Sequence, residues 1–418
     1  MEWFANLLHE GQCVDLGVED GKIAEIRAHV PAAGEGAPMP VAPAFYNGHT
    51  HLAMSLLRGY ADDLELMDWL QGHVWPAEAK LTAESVYAGT RLAILEMIRS
   101  GTVFANDMYW DEPMVVRAAE EMGIRCAASL HVLETGGPGK NDPRNVAANQ
   151  ALAGLPRDSA SRVFAAWAPH AIYTVCEATL KSVAAQAREE GAFLHIHVAE
   201  TKGEVDVCRR EHGGRTPVAY LNDCGVLGPK TIMAHCVHLT DEDIAIIRDT
   251  GAVICENQQS NMKLVSGLFP FRRAVEVGGC RAMLGTDGCA SNNSLSMFAE
   301  MKCAALAGKI EAGNPTAASA ERIYRMATRG GAEAFGIDAG EIRVGAAADF
   351  LLLDPKALPL VPGFNRTSDL VYAGETSCVD TVVCMGRTLM KGRRIPGEEE
   401  IVAAALAEKE RLFGGRKR

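Results

Sequence analysis

The chain has 418 residues, of which 48% are hydrophobic and 22% are charged. This balance is typical of a folded globular protein and excludes a disordered or fibrous one. The formal net charge of −12 argues against a general nucleic-acid-binding protein, because phosphate binding needs a basic surface.

The 12 cysteines are scattered along the chain, and no two form a CxxC pair. Small buried residues in a reducing compartment are therefore favoured over a disulfide framework. The N-terminal residues lack the basic and apolar segments of a signal peptide, and no apolar run approaches the roughly 20 residues that span a bilayer. We therefore expect a cytoplasmic protein with neither a membrane nor a nucleic acid as partner.

The first 43 residues are predicted to form one part of a β module. Apolar residues alternate over 14–18 and 23–26, on either side of Asp20 and Gly21, a dipeptide that favours a tight hairpin turn. Residues 32–43 are rich in Ala, Gly and Pro, which is typical of a connector.

Residues 44–341 alternate between short apolar runs and longer amphipathic stretches, which predicts repeated strand–helix units and a parallel sheet. The predicted strands cover 102–105, 125–130, 163–168, 193–197, 231–234, 252–255 and 282–285, and the predicted helices cover 83–99, 112–121, 177–190 and 241–248. With the strand before His49 there are roughly eight units, which favours a closed (β/α)8 TIM-like barrel. An open doubly wound sheet is the alternative, although no Gly-rich fingerprint supports it.

The tail returns to strands. Residues 342–395 are predicted to hold strands at 349–353, 369–372 and 381–384, and residues 396–418 to form a C-terminal helix, charged over 398–413. Strand-rich ends around an α/β centre predict an α/β fold, in which the barrel carries a small β-sandwich module formed by both chain ends.

A pair of histidines marks the first barrel strand. His49 and His51 follow an apolar run, and alternate residues of a strand point to the same side. At the C-terminal end of a barrel strand both imidazoles can face the barrel mouth, where active sites of this fold lie. Imidazole is a good ligand for divalent transition metals, so this pair is a candidate metal site.

Other polar residues end later strands in the same way. His197 ends the strand at 193–197, which also carries His195; His235 and Asp287 follow two further apolar runs, and Glu200 follows His197 by three residues. Each alone is more often a core histidine or a capping acid. Their common position at strand ends favours one shared site.

These residues lie in motifs that resemble the amidohydrolase superfamily, in its deaminase and chlorohydrolase branch, and most closely the S-adenosylhomocysteine/5'-methylthioadenosine deaminases. The motifs are NGHTH, WPAE, HVAET, MAHCVHL, LGTDGCASNN and VGAAADFLLLD, and the resemblance covers nearly the whole chain. It implies His49, His51, His197 and Asp287 as ligands of one divalent metal ion. Zinc is the first expectation, with iron and manganese as alternatives.

The resemblance also implies the catalytic residues: Glu200 as the general acid and base, His235 as the group that orients the attacking water, and Asp287 as a proton acceptor. A bound divalent metal lowers the pKa of water toward neutrality. His195 matches no ligand position and is interpreted as core packing. The expected reaction is hydrolytic deamination of a 6-aminopurine nucleoside such as adenosine, 5'-methylthioadenosine or S-adenosylhomocysteine.

The resemblance implies a substrate pocket as well. Glu78 matches a glutamate that contacts ribose hydroxyls, and His170 matches a pocket histidine. Trp75 is a candidate apolar wall, and Arg144 lies near the position of an arginine that binds a substrate carboxylate. Glu256 departs from the family pattern, and a second arginine is missing near Leu130 and His131.

Two alternatives remain open at the level of the sequence. The first keeps the metal site and changes the substrate to guanine, a pterin or an s-triazine, a change that Glu256 favours and Glu78 opposes. The second is a non-catalytic scaffold of the same superfamily, which the presence of every ligand and of Glu200 disfavours. A homo-oligomer, dimer or tetramer, is expected from the family.

Overall fold

The N-terminal strands belong to the smaller of two sheets. In the computed structural model, which describes residues 1–64 and 66–414, these strands are β1 (Glu2–His9), β2 (Gln12–Glu19), β3 (Lys22–Ala28) and β4 (Met39–Pro43). β2 and β3 pair antiparallel around Asp20 and Gly21, whose φ angles of 50° and 74° lie in the left-handed region that such a turn requires. The predicted hairpin is confirmed.

The larger sheet is a closed barrel of parallel strands. Its members are β5 (Phe45–His51), β6 (Thr102–Asp107), β7 (Arg125–Val132), β8 (Val163–Pro169), β9 (Phe193–Val198), β10 (Thr231–His235), β11 (Val253–Glu256), β12 (Arg281–Leu284) and β13 (Asp287–Gly288). Neighbours follow chain order from β5 to β12, and β13 pairs back onto β5. Because only Gly285 and Thr286 separate β12 from β13, these two short strands together act as the eighth barrel strand. The predicted (β/α)8 barrel is confirmed, and the open-sheet alternative is wrong.

Helices connect the barrel strands, and five more follow the last barrel strand within the described residues. They are α1 (Leu66–Trp69), α2 (Trp75–Glu78), α3 (Ala83–Arg99), α4 (Glu112–Met122), α5 (Pro143–Ala151), α6 (Glu177–Glu190), α7 (Lys202–Glu211), α8 (Pro217–Asp223), α9 (Asp241–Thr250), α10 (Gln258–Lys263), α11 (Met297–Ala312), α12 (Ala320–Ala327), α13 (Arg329–Ala334), α14 (Arg366–Tyr372) and α15 (Glu398–Phe413). Single 3₁₀ or π turns cover Leu52–Leu57, Leu70–Val74, Arg272–Val277, Leu358–Leu360 and Thr376–Cys378. None of the helices within the described ranges is long and apolar enough to cross a membrane.

Helix α3 shows how sequence sets these boundaries. Thr82 caps its first turn by accepting a hydrogen bond from the Ser85 backbone N–H, and the Ser85 side chain caps Thr82 in return. Buried residues such as Val86 and Ile94 then recur on the face that packs against neighbouring elements. The predicted bounds of α3 and α6 coincide with the observed ones.

The C-terminal strands complete the small sheet. They are β14 (Phe350–Leu353), β15 (Val379–Cys384) and β16 (Arg387–Met390), and the strand order is β16-β15-β14-β4-β1-β2-β3. β4 joins the two halves because it pairs with β1 on one edge and with β14 on the other. The Phe4 ring packs edge-on against Phe350 with centroids 5.0 Å apart, within a buried cluster drawn from both halves. The small module is thus one sheet to which both chain ends contribute strands.

One predicted strand is wrong. Residues 369–372 belong to helix α14, which begins after Asn365, whose side chain accepts a hydrogen bond from the Ser368 backbone N–H. A short apolar run does not distinguish a strand from a helix, and the cap decides here. The C-terminal helix is present as α15, and residues 415–418 of that prediction lie outside the described residues. The domain limits at 43, 341 and 395 stay predictions.

The two ends of the barrel differ in chemistry. At the N-terminal ends of the strands, the Phe335 ring contacts the rings of Phe104 and Phe193, with centroids 4.5 and 5.2 Å apart. At the same end, buried Asp349 of the small sheet binds the Tyr46 hydroxyl (2.5 Å) and Arg125 Nε (2.9 Å). Apolar packing and one buried ion pair therefore close this end. The histidines and acids of interest lie at the other.

Candidate metal centre and substrate cavity

Four barrel strands deliver imidazole and carboxylate groups to one point. His49 and His51 come from β5, His197 from β9, His235 from β10 and Asp287 from β13, each at or near the C-terminal end of its strand. The donor atoms of His49, His51 and His197 lie within 4.8 Å of one another, and so do those of His49, His235 and Asp287. Parallel strands in a barrel produce this convergence because all their C-terminal ends meet at one face.

Hydrogen bonds on the outer nitrogens orient these rings. The Nδ1–H of His51 donates to the Met108 carbonyl oxygen (2.5 Å), and that of His197 donates to the His170 carbonyl oxygen (2.8 Å). A histidine that donates through Nδ1 presents the Nε2 lone pair on its other side, which is the form that binds a metal.

His49 is held in a different way. Its Nδ1 shares a 2.8 Å hydrogen bond with His195 Nε2, and its own Nε2 is buried without a hydrogen-bond partner. An orphaned, buried imidazole nitrogen that faces a carboxylate and two further imidazoles fits a metal ligand. His195 therefore orients His49, a predicted metal ligand, through a hydrogen bond. The sequence-based interpretation of His195 as core packing missed this contact. The signal was present in the sequence, since His195 and His197 share one face of β9.

Asp287 supplies the negative charge of the cluster. Its Oδ1 lies 3.3 Å from His49 Nε2 and 3.2 Å from His51 Nε2, and its Oδ2 accepts hydrogen bonds from the hydroxyls of Ser260 (2.6 Å) and Ser291 (2.8 Å). Its φ of 62° lies in the left-handed region, which is costly for a non-glycine residue and clusters at functional sites.

The pKa values of His49, His51 and Asp287 indicate which kind of ligand the site can bind. Burial lowers the pKa of His49 to about 4, whereas Asp287 outweighs burial at His51 and raises its pKa to about 9. Burial opposes ionisation of Asp287, but the His49 and His51 rings beside its Oδ1 hold its pKa well below the usual range. A carboxylate kept ionised beside buried imidazole nitrogens is suited to a divalent cation.

Glu200 lies beside His235, the fourth histidine of the cluster. Glu200 Oε2 is 4.0 Å from His235 Nε2, and Glu200 Oε1 accepts a hydrogen bond from the Ser266 hydroxyl (3.2 Å). The His235 ring is fixed from behind, since its Nδ1–H donates to Asn261 Oδ1 (2.8 Å). Both side chains are buried and face the same opening.

The opening is a cavity at the C-terminal face of the barrel. Its floor includes His51, His197, His235, Asp287 and Glu200. The predicted pocket residues Glu78, Trp75 and His170 also line it. Burial raises the pKa of Glu78, and Tyr109 and His51 nearby act in the opposite direction.

A family comparison agrees with this site. The model of the amidohydrolase family matches residues 41–389, which include every residue of the cluster. The chain belongs to the amidohydrolase family.

Within the family, similarity to several characterised members extends over nearly the full length. The chain is 41% identical to the 5'-deoxyadenosine deaminase of Methanothermobacter thermautotrophicus over 94% of its length and 92% of the relative. It is 40% identical to 5-methylthioadenosine/S-adenosylhomocysteine deaminase 1 of Archaeoglobus fulgidus, over 96% and 95% of the two chains. The crystal structure of an adenosine deaminase from Xanthomonas campestris with bound zinc superposes with a TM-score of 0.87 at 32% identity, covering 96% of this chain and 94% of that one.

Two predicted pocket residues of this amidohydrolase lie elsewhere. Arg144 stands outside the cavity wall, where its guanidinium pairs with Asp111 (2.6 Å) and lies over the Trp110 ring at 5.2 Å. Glu256 is fully buried away from the cavity, its pKa raised well above the usual range by burial and by Glu300, and neither carboxylate oxygen has a hydrogen-bond partner. Alternation explains the second case, because the last residue of β11 points away from the barrel mouth.

The cavity also contains residues that sequence reasoning left out of the pocket. Tyr109, Trp110 and His131 line it. The Tyr109 hydroxyl and both ring nitrogens of His131 are buried without hydrogen-bond partners, as expected of groups that face a ligand. Tyr109 and Trp110 follow β6 by two and three residues, so the strand-end rule that found the histidines applies to them as well.

Proposed function

We propose that this amidohydrolase is a metal-dependent deaminase that hydrolyses the exocyclic amino group of a 6-aminopurine nucleoside and releases ammonia. The observation that carries the proposal is the convergence of three histidines and one aspartate with Glu200 and His235 at the floor of one cavity. The relatives described above, whose names specify nucleoside deamination, support the same reaction.

The residues that would hold the metal are His49, His51, His197 and Asp287, with zinc as the expected ion and iron or manganese as alternatives. The orphaned Nε2 of His49 and the bonded outer nitrogens of the other rings support this assignment. When bound, such a metal acts as a Lewis acid and lowers the pKa of water toward neutrality.

Glu200 is assigned as the general acid. Its carboxyl group is buried at the cavity floor beside the donor cluster, within reach of a purine ring that enters from the mouth. Protonation of the ring nitrogen next to the carbon under attack makes that carbon electrophilic, and the proton that the attacking water loses to Asp287 can then pass to the amino group, which leaves as ammonia.

His235 and Asp287 are assigned to the attacking water. Asp287 Oδ1 carries ionised charge toward the cluster and can accept a proton, while Oδ2 remains bound to two serine hydroxyls. His235 faces the same space with a fixed ring orientation and can hold the water in line with the ring.

Glu78, Trp75 and His170 are assigned to the substrate. Ionised Glu78 can accept both hydrogen bonds of a ribose diol. The Trp75 ring, 42% exposed at the cavity mouth, offers an apolar face to a purine. We expect the substrate to be a small molecule that is neutral or zwitterionic. We also expect a cytoplasmic homo-oligomer that has no nucleic-acid partner.

The test is ammonia release by metal-reconstituted protein against adenosine, 5'-methylthioadenosine, adenine, guanine, a pterin and an aminotriazine. Turnover of the nucleosides alone supports the proposal. If the nucleosides release no ammonia and a free base or a triazine does, the alternative substrate class is favoured. No turnover of any compound by protein with a full metal complement would favour the scaffold alternative.

A further inference from the structure

The cavity wall beyond Glu78 is built from aromatic and neutral polar groups. Tyr109 and Trp110 lie next to Glu78, and the His131 ring meets the Trp110 ring edge-on with centroids 5.5 Å apart. Asn145 lies beside His131, buried, with no hydrogen-bond partner for either polar atom of its side chain. If the base reaches Glu200 and the ribose reaches Glu78, the group on the 5' carbon meets this wall.

His131 offers this group hydrogen bonds but no charge. Burial, assisted by repulsion from His51, lowers the pKa of His131 to about 3. A neutral imidazole donates one hydrogen bond and accepts one. The His131 carbonyl accepts hydrogen bonds from the side chains of Asn141 (3.3 Å) and Asn149 (3.0 Å), so the backbone that carries the ring is fixed.

No lysine or arginine lines the cavity among the residues that the structure describes, and the divalent metal that the donor residues would hold lies at the floor, not at this wall. Glu78 is the carboxyl group next to this wall. Arg144 stands behind Trp110, and its charge is compensated by Asp111, whose Oδ2 accepts a 2.6 Å hydrogen bond from its Nη2. An anionic substituent at this wall would therefore meet Glu78 and no cationic side chain that is free of an acidic partner.

We infer that the substrate carries an uncharged group on its 5' carbon, such as hydrogen, hydroxyl or a thioether, and that a 5' substituent ending in a carboxylate is disfavoured. The inference rests on the proposed deaminase function and narrows its substrate. Its physical basis is that a carboxylate taken out of water with neither a cation nor enough hydrogen bonds opposes binding, whereas a neutral group is not penalised.

The experiment measures kcat/KM for ammonia release by the metal-loaded enzyme with matched substrates. The key pair is 5'-deoxy-5'-(carboxymethylthio)adenosine and its amide, which differ in charge and hardly in size. 5'-Deoxyadenosine, 5'-methylthioadenosine and S-adenosylhomocysteine complete the set. We expect the carboxylate to be at least about tenfold poorer than the amide, mainly through KM, and S-adenosylhomocysteine to be poorer than 5'-methylthioadenosine.

Asp111 supplies the matching variant. Asp111→Asn keeps a residue that tolerates the φ of 49° at this position but frees the charge of Arg144, so the carboxylate-to-amide ratio should rise severalfold. Adding Arg144→Ala should return the ratio to its starting value. Asp158→Asn, an exposed residue on the loop after α5, is the control and should change nothing.

The outcomes separate the two proposals. A carboxylate substrate turned over as well as its amide by the unmodified enzyme would overturn this inference and leave the deaminase function standing. A ratio that does not move in Asp111→Asn would contradict the role given to the Arg144–Asp111 pair. If metal-loaded enzyme releases no ammonia from any nucleoside, both the deaminase function and this inference are wrong.

Discussion

Glu200 tests the chemistry at the scale of one residue. Its contacts, an accepted hydrogen bond from Ser266 and a 4.0 Å approach to His235 Nε2, involve none of the four assigned metal ligands. Glu200→Gln keeps the shape but cannot deliver a proton, so we expect turnover to fall roughly 10²–10⁴-fold while the metal content stays the same. Ammonia release and metal analysis of the same sample check this. Glu211→Gln, exposed at the end of α7, is the control, and full activity of Glu200→Gln would contradict the assigned role.

Glu78 tests substrate recognition. A carboxylate that accepts two ribose hydroxyls contributes hydrogen bonds to a charged group, each worth about 1.5–3 kcal/mol, and Glu78→Gln should therefore raise KM for adenosine on the order of tenfold or more. With 2',3'-dideoxyadenosine, which lacks both hydroxyls, the same substitution should have little effect. Steady-state kinetics with both substrates gives the answer. Glu84→Gln on the first turn of α3 is the control, and an equal loss on both nucleosides would remove the ribose argument.

At the scale of elements, the turn from β9 into α7 holds Glu200 in place. Glu204, in the first turn of α7, accepts backbone hydrogen bonds from Ala199 (2.9 Å) and Glu200 (2.8 Å), and Ala199 has a left-handed φ of 50°. Glu204→Gln has one acceptor oxygen for these two N–H groups, so we expect kcat to fall about tenfold with KM nearly unchanged. A matched loss in thermal stability without a change in kcat would point to a purely structural role. Asp206→Asn, exposed on the same helix, is the control.

The elements also show how far sequence alone reaches. Strand–helix alternation and the Asp20-Gly21 turn predict the barrel and the hairpin because each depends on local patterns. The strand-end rule brings His49, His197 and Asp287 together for the same reason. Glu256 and Arg144 were expected at the substrate from the family resemblance, and neither lines the cavity. The Glu256 side chain points away from the barrel mouth, and the Arg144 guanidinium pairs with Asp111, 33 residues away along the chain. The strand predicted at 369–372 is wrong because the helix cap at Asn365, and not the short apolar run, determines the secondary structure there.

At the scale of the whole molecule, Asp349 joins the small sheet to the barrel. Its carboxylate binds Arg125 Nε (2.9 Å) and the Tyr46 hydroxyl (2.5 Å), at the N-terminal ends of β7 and β5, and the backbone N–H of Met385 (2.5 Å) in the turn between β15 and β16. This end of a (β/α)8 barrel serves stability, whereas the opposite end carries the chemistry.

Asp349→Asn would leave the Arg125 guanidinium buried without its counter-charge. Removing one partner of a buried ion pair lowers the free energy of unfolding by about 3–5 kcal/mol, and urea titration followed by tryptophan fluorescence should show a loss of this size. Because the ion pair and the metal cluster lie at opposite ends of the barrel, kcat of the folded variant should stay close to that of the unmodified protein. Asp20→Asn in the exposed hairpin turn is the control, since asparagine adopts the same left-handed conformation. If Asp349→Asn kept its stability but lost bound metal, the ends of the barrel would be coupled more tightly than their separation implies, and the division between a stabilising and a reactive end would be wrong for this protein.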